Sequence, residues 1–255
     1  MKIITQIDFN IGKYTSTLLG GIMNKIGIIG AMDEEVSRLK GEMTNVLVHR
    51  KAGMDFYTGF LREKETVIVK SGIGKVNAAI CTQILIDDYK VDCVINTGVA
   101  GSLNNDINIA DIVLSTDAIQ HDVDVTNWDY KHGQIPRMDT SVFVADERLI
   151  KLAERVCKEV NKDISVFTGR VVSGDQFICD KQKKQWLSEY FGALCTEMEG
   201  AAIAQAAYLN QVPFLIIRAI SDKADDSADM AYEEFEMKAI HYTVQLVLGM
   251  MSQLT

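Results

Sequence analysis

The chain has 255 residues, of which 47% are hydrophobic and 24% charged, and this is enough to bury the core of one large α/β domain. Its formal net charge of −9 argues against nucleic acid and anionic membrane surfaces as partners, because both bind clusters of Lys and Arg. The sequence contains no apolar run near the ~20 residues that a membrane span requires. Only two prolines occur and no flexible linker interrupts the chain, so we expect a single domain.

The cysteines are odd in number and scattered, and none are spaced as C-x-x-C. Several lie in apolar segments, where a free cysteine behaves as a small hydrophobic residue. This usage predicts a reducing cytoplasm without disulfides or structural zinc. The five residues are Cys81, Cys93, Cys157, Cys179 and Cys195.

Residues 1–22 differ from the rest of the chain. They have a Lys near the start, a polar middle and no long apolar core, so they lack the pattern of a secretory signal. A clear strand pattern follows directly after Met23. We therefore expect residues 1–23 to be an N-terminal extension outside the fold, and residues 24–255 to form the domain.

Short apolar segments alternate with helical patterns along most of the chain. The predicted strands are 25–30, 56–61, 66–70, 93–96, 111–118, 164–173 and 212–220. The predicted helices are one that opens at the acidic residues 33–35, then 76–89, 147–160, 181–190, 201–209 and 231–251. This alternation predicts the α/β class, with a central sheet and helices on both of its faces.

Several strand ends carry residues suited to a ligand site. The glycine-rich turn 71–75 precedes a helix, where it could cradle an anion, although a tight strand-to-helix turn is favoured. The small residues 97–102 follow a buried strand and would let a ligand approach the backbone closely. Asp222 closes the most apolar strand, either as a site residue or as the cap of the next helix.

Two carboxylates, Glu197 and Glu199, follow an apolar pair near the start of a predicted helix. If the backbone is extended here, both side chains lie on one face of the strand and Met198 lies on the other. Burying such a pair costs several kcal/mol unless partners satisfy it. On this segment alone, a functional site and a solvated acidic helix start both remain open.

A histidine and two aspartates lie in 121–124, but no second histidine cluster is near them in sequence, so a metal is not predicted. The loop that follows carries Trp128, Tyr130 and Pro136. An aromatic loop of this kind either covers a site or meets another subunit.

Taken in order, a series of motifs resembles the bacterial 5′-methylthioadenosine/S-adenosylhomocysteine nucleosidases of the purine and uridine phosphorylase superfamily. The resemblance covers the chain from about Asn24 to the C-terminus. It implies a three-layer α/β/α sandwich with a central mixed, twisted sheet, as in nucleoside phosphorylases and hydrolases. The motifs are 26–32, 70–75, 96–101, 121–126, 172–175, 197–199 and 218–222.

The resemblance implies hydrolysis of the N-glycosidic bond between adenine and a 5′-thio-substituted ribose. Asp222 resembles the general acid that protonates adenine N7, and Glu35 the base that activates the attacking water. Glu199 resembles the residue that holds the ribose hydroxyls, with Met198 beside the sugar. Adenine leaves poorly as an anion and the sugar becomes oxocarbenium-like, so an acid at the base and carboxylates near the sugar suit this chemistry.

Other site residues are implied by the same resemblance. Phe177 and Ile178 would form the adenine pocket, Ser221 would position Asp222, and Glu197 would support the site from a second position. The remaining substrate-binding residues would be Arg218, Val99, Ala100 and Gly101, with an apolar 5′-thio pocket of Met32, Ile73, Tyr232 and, from the partner of a homodimer, Trp128 and Pro136. Val99 and Trp128 differ from the residues of some relatives, which affects the preference for the 5′-substituent. No cofactor and no metal are implied.

Three alternatives remain open. A phosphorylase of the same fold would replace water by phosphate and would need several Arg or Lys residues around the anion. Arg218 and Lys75 are available for this, but a carboxylate at Glu35 would repel phosphate. A nucleosidase acting on 6-amino-6-deoxyfutalosine would use a similar pocket. A nucleoside-binding regulator without catalysis would not need Glu35, Glu199 and Asp222 together.

Overall fold

The computed structural model describes residues 23–224 and 228–254, with side chains described up to 224 and from 235 onward. The strands are β1 (Lys25–Gly30), β2 (Thr44–Lys51), β3 (Met54–Leu61), β4 (Lys64–Lys70), β5 (Cys93–Ser102), β6 (Ile112–Gln120), β7 (Phe143–Val144), β8 (Val166–Ser173), β9 (Ala193–Glu197) and β10 (Phe214–Asp222). The helices are α1 (Asp33–Gly41), α2 (Lys75–Tyr89), α3 (Glu147–Val160), α4 (Lys181–Phe191), α5 (Gly200–Leu209) and α6 (Ala228–Gln253).

The described strands form one mixed sheet in the order β10-β6-β8-β9-β5-β1-β4-β3-β2, with β7 on the side of β6. Strand β10 pairs with β6 and also with β5, so the β10, β6, β8, β9 and β5 strands close into a ring. Strand β5 also pairs with β1. It therefore joins the ring to the open part of the sheet, and its carboxyl end lies where the ends of several strands meet.

Helices cover the sheet on both faces. Helices α1 and α3 pack against α6, which lies over β10 and β5, while α2 packs against α5 in a second group. The buried core is built from Ile, Val, Leu and Ala side chains of the central strands and of these helices. This arrangement confirms the predicted three-layer α/β/α sandwich with a mixed sheet.

The structure differs from the predicted elements in several places, and β2, β7 and β9 are all absent from the list of predicted strands. Strand β2 was not predicted, because each of its residues is exposed and the segment shows no buried face. The segment 97–102, predicted as a loop, is the second half of β5. Strand β9 ends at Glu197, and a bend follows it, so the extended backbone expected through Glu199 is wrong.

Residues 1–22 of the predicted extension lie outside the described residues. Their position relative to the fold therefore stays a prediction. Met23 is only 5% exposed and packs in the core ahead of β1, so the expectation that it lies outside the fold with residues 1–22 is corrected. Within the described part of the chain, the helices all fall short of the length and apolar character that crossing a membrane demands.

Candidate active site

A cavity of about 360 Å³ opens where the carboxyl ends of β1, β5, β9 and β10 approach the glycine turn before α2. Its lining brings together most of the residues that the sequence singled out, although they come from distant segments. They are Met32, Glu35, Ile73, Val99, Ala100, Gly101, Phe177, Ile178, Glu197, Met198, Glu199, Ser221 and Asp222. Ala31, Gln176 and Thr196 also line the cavity. These three were missed because no charge or glycine marks them.

Glu35 is the third residue of α1, and its side chain turns back toward the residues that precede the helix. Its Oε2 accepts the N–H of Ala31 at 2.6 Å and that of Met32 at 3.1 Å. Its Oε1 accepts the N–H of Val99 at 3.2 Å. The short capping motif of α1 thus ties the carboxyl group to the end of β5.

The carboxyl group of Glu35 is almost completely buried. Burial raises its pKa, and the Arg218 guanidinium and the three backbone N–H groups offset only part of that rise. Space around the group is limited, since a Cβ added at Gly98 would lie 2.3 Å from Glu35 Oε1. The glycine in β5 is therefore required for this carboxyl group to reach the cavity.

Glu197 is held by a set of buried partners. Its Oε2 accepts Arg218 Nη2 at 2.5 Å and the N–H of Gly200 at 2.7 Å, and its Oε1 accepts the hydroxyl of Ser173. Arg218 Nη2 also donates to Asn96 Oδ1 at 2.5 Å. Burial would lower the pKa of Arg218, but the nearby carboxylates raise it overall, so the guanidinium stays charged beneath the cavity.

Glu199 follows the bend after β9 and precedes α5. Its N–H donates to Glu197 Oε2 at 3.1 Å, and its own Oε1 accepts the N–H of Gly74 at 2.7 Å. Burial and the Glu197 carboxylate raise the pKa of Glu199 to about 8, against the opposing effects of Arg218 and the Gly74 N–H. The bend brings Met198 and Glu199 to the same cavity, which corrects the expectation that they face opposite ways.

Asp222 ends β10 opposite Gly101 of β5. Its Oδ1 accepts the N–H of Ala224 at 2.7 Å, and its Oδ2 accepts the Ser221 hydroxyl at 2.9 Å. A Cβ at Gly101 would lie 2.8 Å from Asp222 Oδ1, so a larger residue there would displace the carboxyl group. Asp222 is 2% exposed, and its position at the strand end matches the sequence-based expectation.

Three predicted site residues whose side chains are described do not line the cavity. Arg218 lies below it and contacts Glu197. Trp128 and Pro136 lie outside the cavity lining, and Trp128 is 68% exposed. The side chain of Tyr232 lies outside the described residues. The position of Arg218 indicates a supporting role, whereas contacts of Trp128 and Pro136 with substrate would have to come from a second subunit.

The histidine and aspartate of the 121–124 segment have structural surroundings. Asp122 pairs with Lys75 at 2.6 Å. His121 is buried, and burial lowers its pKa to about 4. Among the described residues, neither of its ring nitrogens has a hydrogen-bond partner. Across the residues with described coordinates, His, Cys, Asp and Glu side chains do not form a group of three placed to hold a metal ion.

Comparison with known proteins agrees with this fold and cavity. A family model described as the phosphorylase superfamily matches residues 25–252, so the chain belongs to that superfamily. A 5′-methylthioadenosine/S-adenosylhomocysteine nucleosidase of Bacillus pumilus (strain SAFR-032) is 45% identical over 231 residues, covering 90% of this chain and 99% of that protein. Within the superfamily, the chain belongs to the nucleosidases of this name.

Solved structures give the same result. The Neisseria meningitidis nucleosidase in complex with methylthio-immucillin-A has a TM-score of 0.87 and 37% identity, covering 91% of this chain and 100% of that one. A futalosine hydrolase of Helicobacter pylori has a TM-score of 0.86 and 34% identity, covering 91% of this chain and 99% of that one. The resemblance inferred from the sequence motifs is therefore confirmed.

Proposed function

We propose that this enzyme hydrolyses the N-glycosidic bond of 5′-methylthioadenosine and S-adenosylhomocysteine, releasing adenine and the 5-thio-substituted ribose. The observation that carries the proposal is the convergence of the buried residues Glu35, Glu199 and Asp222 at one cavity. Relatives named for this reaction support it at 43–45% identity over 90% of the chain.

Asp222 is assigned as the general acid that protonates adenine N7. Adenine is a poor leaving group as an anion, so the C–N bond breaks readily only if the base takes up a proton as it leaves. The Ser221 hydroxyl and the Ala224 N–H hold the two carboxyl oxygens of Asp222 in a fixed orientation. That orientation supports transfer of a proton to a purine seated beside Phe177 and Ile178.

Glu35 is assigned as the base that takes a proton from the attacking water. A raised pKa makes its ionised carboxylate a stronger base toward water. Because three backbone N–H groups orient the side chain, the water would be held in one position. The water oxygen forms the new bond to C1 of the ribose as the bond to adenine breaks.

Glu199 is assigned to the ribose hydroxyls, with Met198 packing beside the sugar. The ribose becomes oxocarbenium-like as the base departs, and carboxylates fixed near it stabilise the developing positive charge. Glu197 contributes indirectly, because its oxygens are already bonded to Arg218, Ser173 and two backbone N–H groups.

The charges near the cavity favour water over phosphate as the nucleophile. The Nη2 of Arg218 is bonded to Asn96 and Glu197, and its Nη1 donates to a backbone carbonyl. Lys75 is bonded to Asp122 and Gln120. The two cations that a phosphorylase would use are thus already paired.

The test is a substrate panel in which adenine release is measured with and without phosphate. We expect adenine release from methylthioadenosine in phosphate-free buffer. The rate should be the same in buffer that contains phosphate. Turnover only with phosphate would establish a phosphorylase. Binding of adenosine analogues without any product would instead support a regulator.

A second candidate substrate is 6-amino-6-deoxyfutalosine. The similarity to the Helicobacter pylori futalosine hydrolase favours its inclusion, because that structure matches with nearly the same score as the nucleosidases. The panel therefore includes this compound at matched concentration. A higher kcat/KM for it than for methylthioadenosine would reassign the main substrate.

A homodimer with a shared pocket forms part of the proposal. Ile73 and Phe177 at the cavity are 54% and 47% exposed, and exposed apolar groups around a cavity are typical of a surface that meets another chain. Trp128 and Pro136 of one subunit would then cover the 5′-thio group bound in the other subunit. Tyr232 would contribute from the subunit that binds the substrate.

Trp128→Ala tests this sharing of the pocket. We expect KM for methylthioadenosine to rise about tenfold, because an apolar contact to the 5′-thio group is lost, while kcat changes little. Sedimentation at the assay concentration reports the oligomeric state in parallel. A fully active monomer would refute the shared pocket.

The proposal also places the reaction in the cytoplasm, in the salvage of methionine from by-products of S-adenosylmethionine. Support comes from the cysteines, which are all free, four of them buried. Free thiols are typical of a reducing compartment.

A further inference from the structure

We propose that Lys75, Asp122 and Asp175, together called the Lys75 network, are positioning residues that set the geometry and the protonation of Glu199. The inference rests on the proposed function, since it concerns the same carboxyl group. It differs from that function in assigning a role to residues that lie outside the cavity lining.

The first step is the contact between Glu199 and the glycine turn before α2. The N–H of Gly74 donates to Glu199 Oε1 at 2.7 Å, and this bond lowers the pKa that burial raises. Gly74 has φ +98°, a conformation that glycine adopts easily and other residues rarely do. The direction of this N–H therefore depends on how the turn is held, because the glycine itself is flexible.

The second step is that the next residue anchors the turn. The N–H of Lys75 donates to Asp175 Oδ1 at 2.8 Å. The N–H groups of the consecutive residues Gly74 and Lys75 therefore bind Glu199 and Asp175, respectively. The side chain of Lys75 extends to Asp122 Oδ1 at 2.6 Å and to Gln120 Oε1 at 3.0 Å. The start of α2 is thereby fixed to the end of β6.

The third step closes the network. The N–H of Asp175 donates to Asp122 Oδ2 at 3.0 Å, so Asp122 binds both the Lys75 ammonium and the segment after β8. Burial raises the pKa of Asp122, but these two donors lower it overall, and the carboxylate stays ionised. The segment that it holds leads directly to Phe177 and Ile178 of the cavity.

His121 precedes Asp122 and packs against Gly174, which precedes Asp175. Its ring lies against Gly174, where an added Cβ would be 2.5 Å from both Cε1 and Nε2. Because its pKa is lowered to about 4, the imidazole is neutral at physiological pH. A neutral ring does not compete with Lys75 for the Asp122 carboxylate.

The consequence for catalysis follows from the charges around Glu199. The Glu197 and Glu35 carboxylates disfavour its ionised form, while Arg218 and the Gly74 N–H favour it. If the glycine turn before α2 becomes looser, the hydrogen bond from the Gly74 N–H to Glu199 weakens. The pKa of Glu199 would then rise further, and the ionised form that accepts ribose hydroxyls would be reached only at higher pH.

The experiment measures adenine release from methylthioadenosine between about pH 5.5 and 9.5 for the wild type, Lys75→Met and Asp175→Ala. We expect kcat/KM to fall roughly 10- to 100-fold near neutral pH, because small displacements of positioned groups are costly. We also expect the ascending limb of its pH profile to move to higher pH. Asp175 is exposed, so its replacement carries the test if Lys75→Met does not fold.

Lys51→Met is the matched control. Lys51 forms a 2.5 Å ion pair with Asp88 on the surface, and neither residue lines the cavity, so its loss should leave the pH profile unchanged. A loss of activity that is uniform across pH in the network variants would overturn the proposal. So would a kcat/KM within about twofold of the wild type.

Amide hydrogen exchange separates this inference from the proposed function. The network variants should lose protection at the Gly74 and Lys75 amides, whatever the substrate is. If the wild type releases no adenine but the variants lose this protection, the proposed function fails and the network stands. Unchanged protection at both amides would overturn the network.

Discussion

At the scale of single residues, one substitution at Asp222 can remove the catalytic proton while it keeps the hydrogen bond that holds the side chain. Asp222→Asn keeps a side-chain oxygen able to accept the Ala224 N–H but removes the acidic proton. We expect kcat to fall by about 10²–10⁴-fold, the range for general acid catalysis, with little change in the melting temperature. Adenine release and thermal unfolding measure the two effects.

Ser221→Ala is the accompanying variant. It removes the hydroxyl that donates to Asp222 Oδ2 but leaves the carboxyl group in place, so its loss of kcat should be smaller. A Ser221→Ala effect that equals or exceeds that of Asp222→Asn would contradict the assignment of Asp222 as the acid.

Glu199 predicts how stability depends on pH. Its pKa is about 8 in the folded protein against 4.5 for an ordinary Glu. Between these values the unfolded chain is ionised while the folded one holds the proton, so the free energy of unfolding falls as pH rises through this window. The slope is at most about 1.4 kcal/mol per pH unit for one group.

Urea unfolding of the ligand-free protein at pH 5, 6.5 and 8 measures this slope. Glu199→Gln removes the titrating group, so the decline should be shallower. Glu35, whose pKa is also raised, still contributes to the decline, and His121, whose pKa is lowered, opposes it at the acidic end of the range. Equal slopes in the wild type and in Glu199→Gln would show that burial does not hold the proton on Glu199.

The sequence singled out the acidic residues that line the cavity, but it did not reveal their hydrogen-bond partners. Asp222 was marked as a possible site residue because it closes an apolar strand, whereas Glu35 was singled out only by the resemblance of its motif to the nucleosidases. The role of Glu197 was only partly visible. Its partners Ser173, Asn96 and Arg218 lie on three other strands, and their convergence depends on tertiary packing.

At the scale of elements, the packing of Glu35 against Gly98 restricts which residues β5 can carry. Gly98→Ala would place a methyl group 2.3 Å from Glu35 Oε1, so the carboxyl group or the strand must move. We expect a loss of about 1–3 kcal/mol of stability, as in other overpacked sites, and a large loss of turnover. Thermal unfolding and adenine release check both.

Gly41→Ala is the control for that substitution. Gly41 ends α1, and an added Cβ there would meet nothing within 4 Å. Its replacement should leave activity unchanged and stability the same or slightly higher, since alanine favours helix. A Gly98→Ala protein as stable and active as Gly41→Ala would refute the close packing of Glu35 on β5.

The elements missed from the sequence lack the hydrophobic pattern of a typical strand, for two different reasons. Strand β2 is exposed along its whole length, so the alternation that reveals half-buried strands is missing. The end of β5 consists of small residues that resemble a loop, yet they form strand because β10 pairs with them. Helix α3, by contrast, was predicted with its observed bounds because its apolar stripe is strong.

At the scale of the whole molecule, the alternation of strands and helices predicted the layers but not the closure of the sheet. Strand β10 pairs with β5 on one side and β6 on the other. Its buried run of apolar residues is equally compatible with any central strand of an open sheet. Closure is a property of pairing between distant segments, which hydrophobic patterns do not encode.

A deletion tests the predicted boundary of the domain. A chain that starts at Met23 should keep the turnover and melting temperature of the full chain, because the predicted extension contributes no motif to the site. A start at Lys25 should lower the melting temperature, since it removes the buried Met23 side chain from the core. A large loss of activity on removing residues 1–22 would place that segment within the functional protein.

The Arg218–Glu197 pair has a further consequence for selectivity. The guanidinium pairs with the Glu197 carboxylate, so its charge offsets only part of the negative charge that Glu35 and Glu199 carry when they are ionised. The negative charge of such a site is balanced best when the bound ligand becomes positively charged. Nucleoside analogues that carry a positive charge at the sugar should therefore outcompete neutral analogues of the same shape, and by a wider margin as pH rises and the carboxyl groups ionise.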